Sequence, residues 1–534
     1  MLLHVTFRRP AGRSFAALIL FACMGVAPEA RAQVENSDPF AIHSHAVRGL
    51  IVQVWSVAAS SCADDAQDLL VLSTEGGPPN QEKWLTLMPC GAALEPGSPE
   101  IIERRIDDAA VVVDVANVPG RMGPQLLSLS ARGLRVENLK GAATPRDFAI
   151  PGGLPLPPRP WEISRLEIVD EWDALGRGSA LVPSQDGAWQ IDLESGATKR
   201  LTMPVYASYR TYMPHLPATV WKWMIGEITW PTLARADDNG DGRLDLFALS
   251  RWGIWIFHAG PKGLPTTPSR KIEYLPFTEA EERRREATGN NYFAHDLDGD
   301  GRADLLLNTI GGGLFNGQSK TRIHLGGPEG VSTASTPAVE RDIEGGFAAY
   351  HFVDLTGDGI PEIVENSFKF SLVQILRVLT TRNAETTLRF FALDAESEDG
   401  LRLVFKDDFS FGLNLEDGRF AGLIPSLGDW NGDDVLDLYV TRGKSEIGFR
   451  MGSDDPEKPA FGGRIGRQAV PLENGESRVA DLNGDGLDEI IAFTDTDPDT
   501  ALIVLENLGR LPGAGGRGPA LQGEGEAQAE AQEP

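Results

Sequence analysis

A nine-residue acidic pattern that recurs five times, a short apolar stretch after each copy, and a last unit that is one strand short together predict an all-β chain. The architecture they specify is a β-propeller of four-stranded antiparallel blades whose ring is closed by an N-terminal strand. Eight blades are counted, with seven as the alternative.

At the N-terminus, Arg8, Arg9 and Arg13 precede an apolar run from Phe15 to Ala27, and Ala30-Arg31-Ala32 offers small residues where a signal peptidase reads. Residues 1–32 are therefore expected to be a secretory signal, and the mature protein to be periplasmic, cell-surface or extracellular. Leu20-Phe21-Ala22-Cys23 is the rival reading, a lipoprotein site acylated at Cys23, which the bulky Phe21 fits poorly. No later stretch approaches the roughly 20 apolar residues of a spanning helix, so no membrane insertion of the mature chain is expected. Removing the signal takes away four arginines and Glu29 and moves the net charge from −28 to −31. Such a field repels nucleic acid and anionic membranes and favours cations and basic partners.

Cys62 and Cys90 then remain, and in an oxidising compartment a disulfide is the default, with two buried thiols as the alternative. The bridge is worth ~3 kcal/mol in the chain-entropy model. Ala41 to Val47, just ahead of the strand-like Leu50 to Val57, is the candidate for the closing strand. Three degenerate units follow, at Cys62 to Asp68, Asp114 to Gln125 and Asp170 to Ser179, in which the rhythm of strand, loop and strand persists without the acidic ligands.

The intact loops are Asp237 to Asp245, Asp296 to Asp304, Asp354 to Glu362, Asp429 to Asp437 and Asp481 to Glu489, at steps of 59, 58, 75 and 52 residues. Each repeat is thus long enough for one small sheet. A hard divalent cation such as Ca²⁺ takes six to eight oxygen ligands, and alternate side chains of a tight loop bring them to one centre. Positions 1, 3 and 5 are Asp237, Asn239 and Asp241; Asp296, Asp298 and Asp300; Asp354, Thr356 and Asp358; Asp429, Asn431 and Asp433; and Asp481, Asn483 and Asp485. Position 9 adds Asp245, Asp304, Glu362, Asp437 or Glu489, and glycine at position 6 supplies a positive φ in every copy except at Asp434. Apolar residues such as Leu246-Phe-Ala-Leu249 and Ile490-Ile-Ala-Phe493 then read as strands. An EF-hand would continue as a helix and would need glutamate at position 12, where four of the five copies have none.

Between the third and fourth units, Tyr206, Tyr209, Tyr212, Trp221, Trp223 and Trp230 form an aromatic concentration that either stacks on a glycan or protein ligand or packs between blades. Thr278 with Glu281 resembles a capping box and predicts a short helix over 279–287. His43 and His45 are spaced like strand neighbours, and Gly443-Lys444-Ser445 ends like a phosphate loop without its first glycine; both are read as structural. From Leu511 the chain is Gly, Ala, Glu, Gln and Pro with little to bury, which gives an expected domain over 33–510 and a disordered tail over 511–534.

At the five acidic loops, and at the turns His258-Ala-Gly-Pro-Lys-Gly263 and His324-Leu-Gly-Gly-Pro-Glu-Gly330, the chain resembles the FG-GAP/VCBS repeat family, which includes the N-terminal propellers of integrin α-subunits. The likeness spans roughly residues 40–510, although the family's Phe-Gly and Gly-Ala-Pro pieces are met only by Phe461-Gly-Gly463. The resemblance implies structural calcium between neighbouring strands and ligand binding elsewhere. With no catalytic signature in view, a non-enzymatic binding or adhesion module with a protein or glycan ligand is expected; the alternative is a polysaccharide-active, lyase-like enzyme on the same scaffold.

Overall fold

The computed structural model describes residues 38–512, except for short breaks and the longer segments 59–65, 155–162, 171–177, 213–222, 275–287, 414–419 and 495–501. Among the described residues, the strands pair into eight antiparallel blades of a β-propeller. They span 50–106, 112–148, 169–201, 232–272, 288–344, 346–421 and 426–469, and the eighth combines 476–507 with 40–45. The expected closure is present: Phe40–His45 pairs antiparallel with Leu502–Asn507, from Phe40 opposite Asn507 to His45 opposite Leu502.

Alternation along the second strand of each blade explains how the ring holds together. In Asp245–Ser250, Leu246 and Ala248 join an apolar cluster with Leu181, Ala188 and Leu201 of blade 3, whereas Phe247 and Leu249 join Tyr292, Leu305 and Leu307 of blade 5. A strand buried on both faces by neighbouring sheets needs apolar side chains at odd and even positions alike, which is why these segments read as continuous apolar runs. Eight such clusters each bridge two adjacent blades, and the cluster of Ile491, Phe493 and Val504 with Ile51, Leu69 and Val71 joins the last blade to the first.

Charge is also buried between blades 5 and 6. Glu365, fully buried, accepts from Arg341, from Arg389 Nη1 at 2.8 Å and from the Tyr350 hydroxyl at 3.0 Å, and Arg389 also donates to Ser367 Oγ at 2.7 Å. These hydrogen bonds outweigh burial and hold the Glu365 carboxyl below the usual glutamate range.

Departures from the regular blade are insertions. Ser164–Arg165 runs parallel to Val112–Val113, giving blade 2 a fifth strand, and Phe420–Ala421 adds a fifth to blade 6. A hairpin of Tyr206–Tyr212 and Trp223–Thr229 sits between blades 3 and 4. The helix Leu372–Thr381, capped by Ser371 Oγ accepting from the Gln374 N–H at 3.1 Å, interrupts blade 6 between its second and third strands. The predicted helix over 279–287 lies outside the described residues. Leu511, where the tail was expected to begin, is buried between blades 7 and 8.

Candidate metal centres

All five acidic loops join the first strand of a blade to the second, in blades 4 to 8 in succession. Antiparallel alternation therefore puts them on one rim of the ring, together with the turns between third and fourth strands.

A common scaffold of backbone amides shapes each loop. The position 1 carboxylate accepts from the N–H groups of positions 4 and 6: Asp296 from Gly299 and Gly301, both at 2.8 Å, and Asp481 from Gly484 at 2.6 Å and Gly486 at 3.0 Å. Asp237, Asp354 and Asp429 repeat the arrangement. The position 9 carboxylate turns back and accepts the position 2 N–H, as in Leu297 to Asp304 at 2.8 Å and Leu482 to Glu489 at 2.8 Å. Position 6 has φ of 79°, 80°, 84° and 80° at Gly242, Gly301, Gly359 and Gly486, and Asp434 adopts 64° in the same left-handed region.

The position 9 residue also separates two kinds of loop. Where it is aspartate, its second oxygen is taken by a backbone N–H after the third strand: Ala259 to Asp245 at 2.7 Å, Gly326 to Asp304 at 2.7 Å and Gly452 to Asp437 at 2.6 Å. In the last loop it is glutamate, one methylene longer, and Glu489 Oε1 is fully buried and makes no hydrogen bond of normal geometry, a looser approach of the Asn507 N–H to the carboxyl only partly offsetting its burial. A buried carboxylate oxygen with free lone pairs costs a few kcal/mol unless a cation or donor meets it.

Burial raises the carboxyls at position 9 throughout. Asp304 is pushed up to about 6, Asp437 to about 7 and Glu489 to about 9, in each case chiefly by loss of solvent and only partly offset by the backbone N–H groups. Asp245 and Glu362 are raised for the same reason. In the loop of blade 5, ligand oxygens of Asp296, Asp298 and Asp304 lie within 4.8 Å of one another. A donor set made of oxygens alone suits a hard cation of the calcium class. Elsewhere positions 3 and 5 bond locally: Asn431 Nδ2 donates to Asp433 at 2.9 Å, Asn483 Nδ2 to Asp485 at 3.1 Å, and Arg243 Nη2 to Asp241.

Consecutive loops are fastened to each other. At two of the four junctions the position 8 N–H of one loop donates to the position 1 carbonyl of the loop before it, Ala303 to Asp237 at 2.8 Å and Asp488 to Asp429 at 2.9 Å. Gln67 of blade 1 makes the same bond to Asp481 at 2.9 Å. At three junctions the position 7 side chain lies over the position 4 glycine of the preceding loop: a Cβ on Gly240 would meet Arg302, one on Gly299 would meet Ile360, and one on Gly432 would meet Leu487, whereas Gly357 is uncovered.

No family model and no curated protein matches the chain. Among solved structures it is similar to the Nup133 β-propeller domain of Vanderwaltozyma polyspora, with TM-score 0.32 and 8% identity over 89% of this chain and 99% of that one. It is also similar to a proposed 6-phosphogluconolactonase of Bacteroides uniformis, with TM-score 0.29 and 11% identity over 74% and 96%. Neither likeness carries an argument about activity; the fold rests on the strand pairing described above.

Blades 1 to 3 keep the framework without the acidic loop. Asp68, Gln125 and Ser179 fall within the first two residues of their second strands, at the place of position 9, and are all buried. Asp68 even retains the bond from the turn after the third strand, accepting the Cys90 N–H at 3.1 Å. Cys90 is disulfide-bonded, and Cys62 lies outside the described residues.

The remaining candidates separate. Backbone pairing sets Tyr206 opposite Thr229, Tyr209 opposite Gly226 and Tyr212 opposite Trp223, while Trp221 and the side chains of this hairpin lie outside the described set. Trp230, read as part of the same aromatic surface, instead packs against the cluster between blades 3 and 4. His43 pairs with Glu506 at 2.7 Å and His45 donates to the Ala93 carbonyl at 2.6 Å, so the two do not converge on one ligand. Gly443 and Lys444 are outside the described residues.

Proposed function

We propose that this chain is a calcium-stabilised, exported propeller of the FG-GAP/VCBS kind that acts as a non-enzymatic binding module. The observation that carries the calcium reading is the fully buried Glu489 Oε1, which makes no hydrogen bond of normal geometry, in a loop whose ligand atoms are all oxygens. The same loop plan in five successive blades supports a structural role, because each ion would tie the first two strands of its own blade. Positions 1, 3, 5 and 9 would hold the ion, which supplies the positive charge that the crowded carboxylates lack. Export rests on residues 1–32 and gives the loops a calcium-rich setting, where modules of this type bind at roughly 10⁻⁴ to 10⁻³ M.

Thermal melts in millimolar Ca²⁺ and in chelator test the reading, with calorimetric titration to count sites. Stabilisation by calcium with up to five equivalents is expected. Identical melts together with no heat of binding would sink it.

A further inference from the structure

The fastening between successive loops lacks its backbone bond at blades 5–6, as it does at blades 6–7, where Leu436 does not donate to Asp354. Position 8 of the blade 6 loop is Pro361, which has no N–H to give the Asp296 carbonyl, although Ala303, Asp488 and Gln67 all make this bond at their own junctions. A cleft of about 650 Å³ opens at this place, with Pro361 in its wall. Leu297, Leu325, Ile360 and Leu393 give it an apolar lining, and Leu325 and Ile360 are each 36% exposed. Asp298, Asp358 and Asp394 stand around it against a single cation, Arg402.

We propose that this cleft docks a short peptide segment that carries arginine or lysine beside a bulky apolar residue. Its volume falls in the range of ligand sites, and its apolar lining with a few charged groups is the usual composition of one. Charge selects the occupant. The seven carboxylates of the two flanking loops and Asp394 are opposed by Arg302 and Arg402, and even two bound divalent ions leave a net charge of −2. A second copy of the chain, itself at −28, is repelled, whereas a basic segment is attracted. The proposal rests on the reading of the ring as a binding module but not on its calcium.

Fluorescence anisotropy with labelled Gly-Arg-Leu-Phe-Arg-Gly amide and its counterpart Gly-Glu-Leu-Phe-Glu-Gly amide, on the full chain in millimolar Ca²⁺, tests it. Saturable binding of the basic peptide alone is expected, weakening several-fold between 50 and 300 mM salt, on the order of the screening expected for exposed charges. Asp394→Asn removes charge while keeping an acceptor for the Glu396 N–H that Asp394 now caps at 3.0 Å, and Leu325→Lys reverses the field at the mouth. Together they should weaken binding at least tenfold, with melting in Ca²⁺ unchanged. No saturable binding, equal binding of the acidic peptide, or full binding by the double variant would each overturn the proposal. The calcium melts are a separate readout, so either reading can fail alone.

Discussion

Ala303 donates its backbone N–H to the carbonyl of Asp237 at 2.8 Å, and through this bond the acidic loop of blade 5 hangs from that of blade 4. Loss of order in one of these loops therefore removes a partner from its neighbour, and through such bonds the rim responds to metal in two linked segments, blades 4–5 and blades 7, 8 and 1.

Glu489→Gln should change sign with calcium. In chelator the neutral amide removes the cost of protonating a buried carboxyl that burial pushes up to about 9, so the variant should melt at or above the wild type. In saturating Ca²⁺ it should melt below the wild type, because one ion no longer contributes; a site filled to a hundred times its Kd is worth about 2.7 kcal/mol. Paired melting curves with and without calcium check this.

Phe40→Ala tests ring closure without deleting a segment. Phe40 stacks on Phe449 at 5.3 Å and meets Trp430 edge-on at 6.2 Å, and its N–H donates to Gln468 Oε1 at 3.2 Å. Truncation of a buried phenylalanine costs about 3–5 kcal/mol, and a denaturant midpoint should fall accordingly. A fall below 1 kcal/mol would show that the N-terminal strand is dispensable.

Glu365→Ala leaves Arg341 and Arg389 facing each other between blades 5 and 6 without their shared acceptor. Breaking a buried ion pair from one side costs roughly 3–5 kcal/mol. Arg389→Ala should cost less, because Glu365 keeps Arg341 and Tyr350. Chemical denaturation of both variants ranks them.

Asp114 gives a pH signature. It is buried, accepts the Ile168 N–H at 2.8 Å and lies 3.4 Å from Arg165 Nε, and burial outweighs both in pushing it up to about 6. Its unfolded value is about 3.9, so the folded state holds a proton that the unfolded chain has released between these limits. The contribution is full below about pH 4 and is lost as pH rises through 6, by up to ~1.4 kcal/mol per pH unit. Asp114→Asn should remove that slope, read as the difference between the two stability curves from pH 4 to 7.

Much of this was legible because the loop imposes a local pattern. Carboxylates at positions 1 and 9 with glycine at 6 are required by backbone bonds inside nine residues, so five blades announced themselves. The degenerate units were traced to Asp68, Gln125 and Ser179, and each of these lies within the first two residues of a second strand, at the buried position that Asp245 fills in blade 4. Closure followed from counting strands. The helix Leu372–Thr381 was missed: Val373, Ile375, Val378, Thr380 and Thr381 are β-branched and mimic a strand, and only Ser371 as N-cap hinted otherwise. Pro361 was in plain view at position 8, but its consequence depends on an acceptor in the neighbouring blade, Asp296, which no local pattern specifies.

The outer strand of blade 8 also has a consequence for timing. Phe40 is among the first residues of the ring to be synthesised and Asn507 among the last, yet they are partners. At a synthesis rate of roughly 5–20 residues per second, the first strand waits on the order of half a minute or more for its place to exist. Seven blades can assemble while the chain lengthens. The molecule becomes a circle only once its own end has emerged, so an interrupted chain leaves an open arc with Phe40–His45 unmatched.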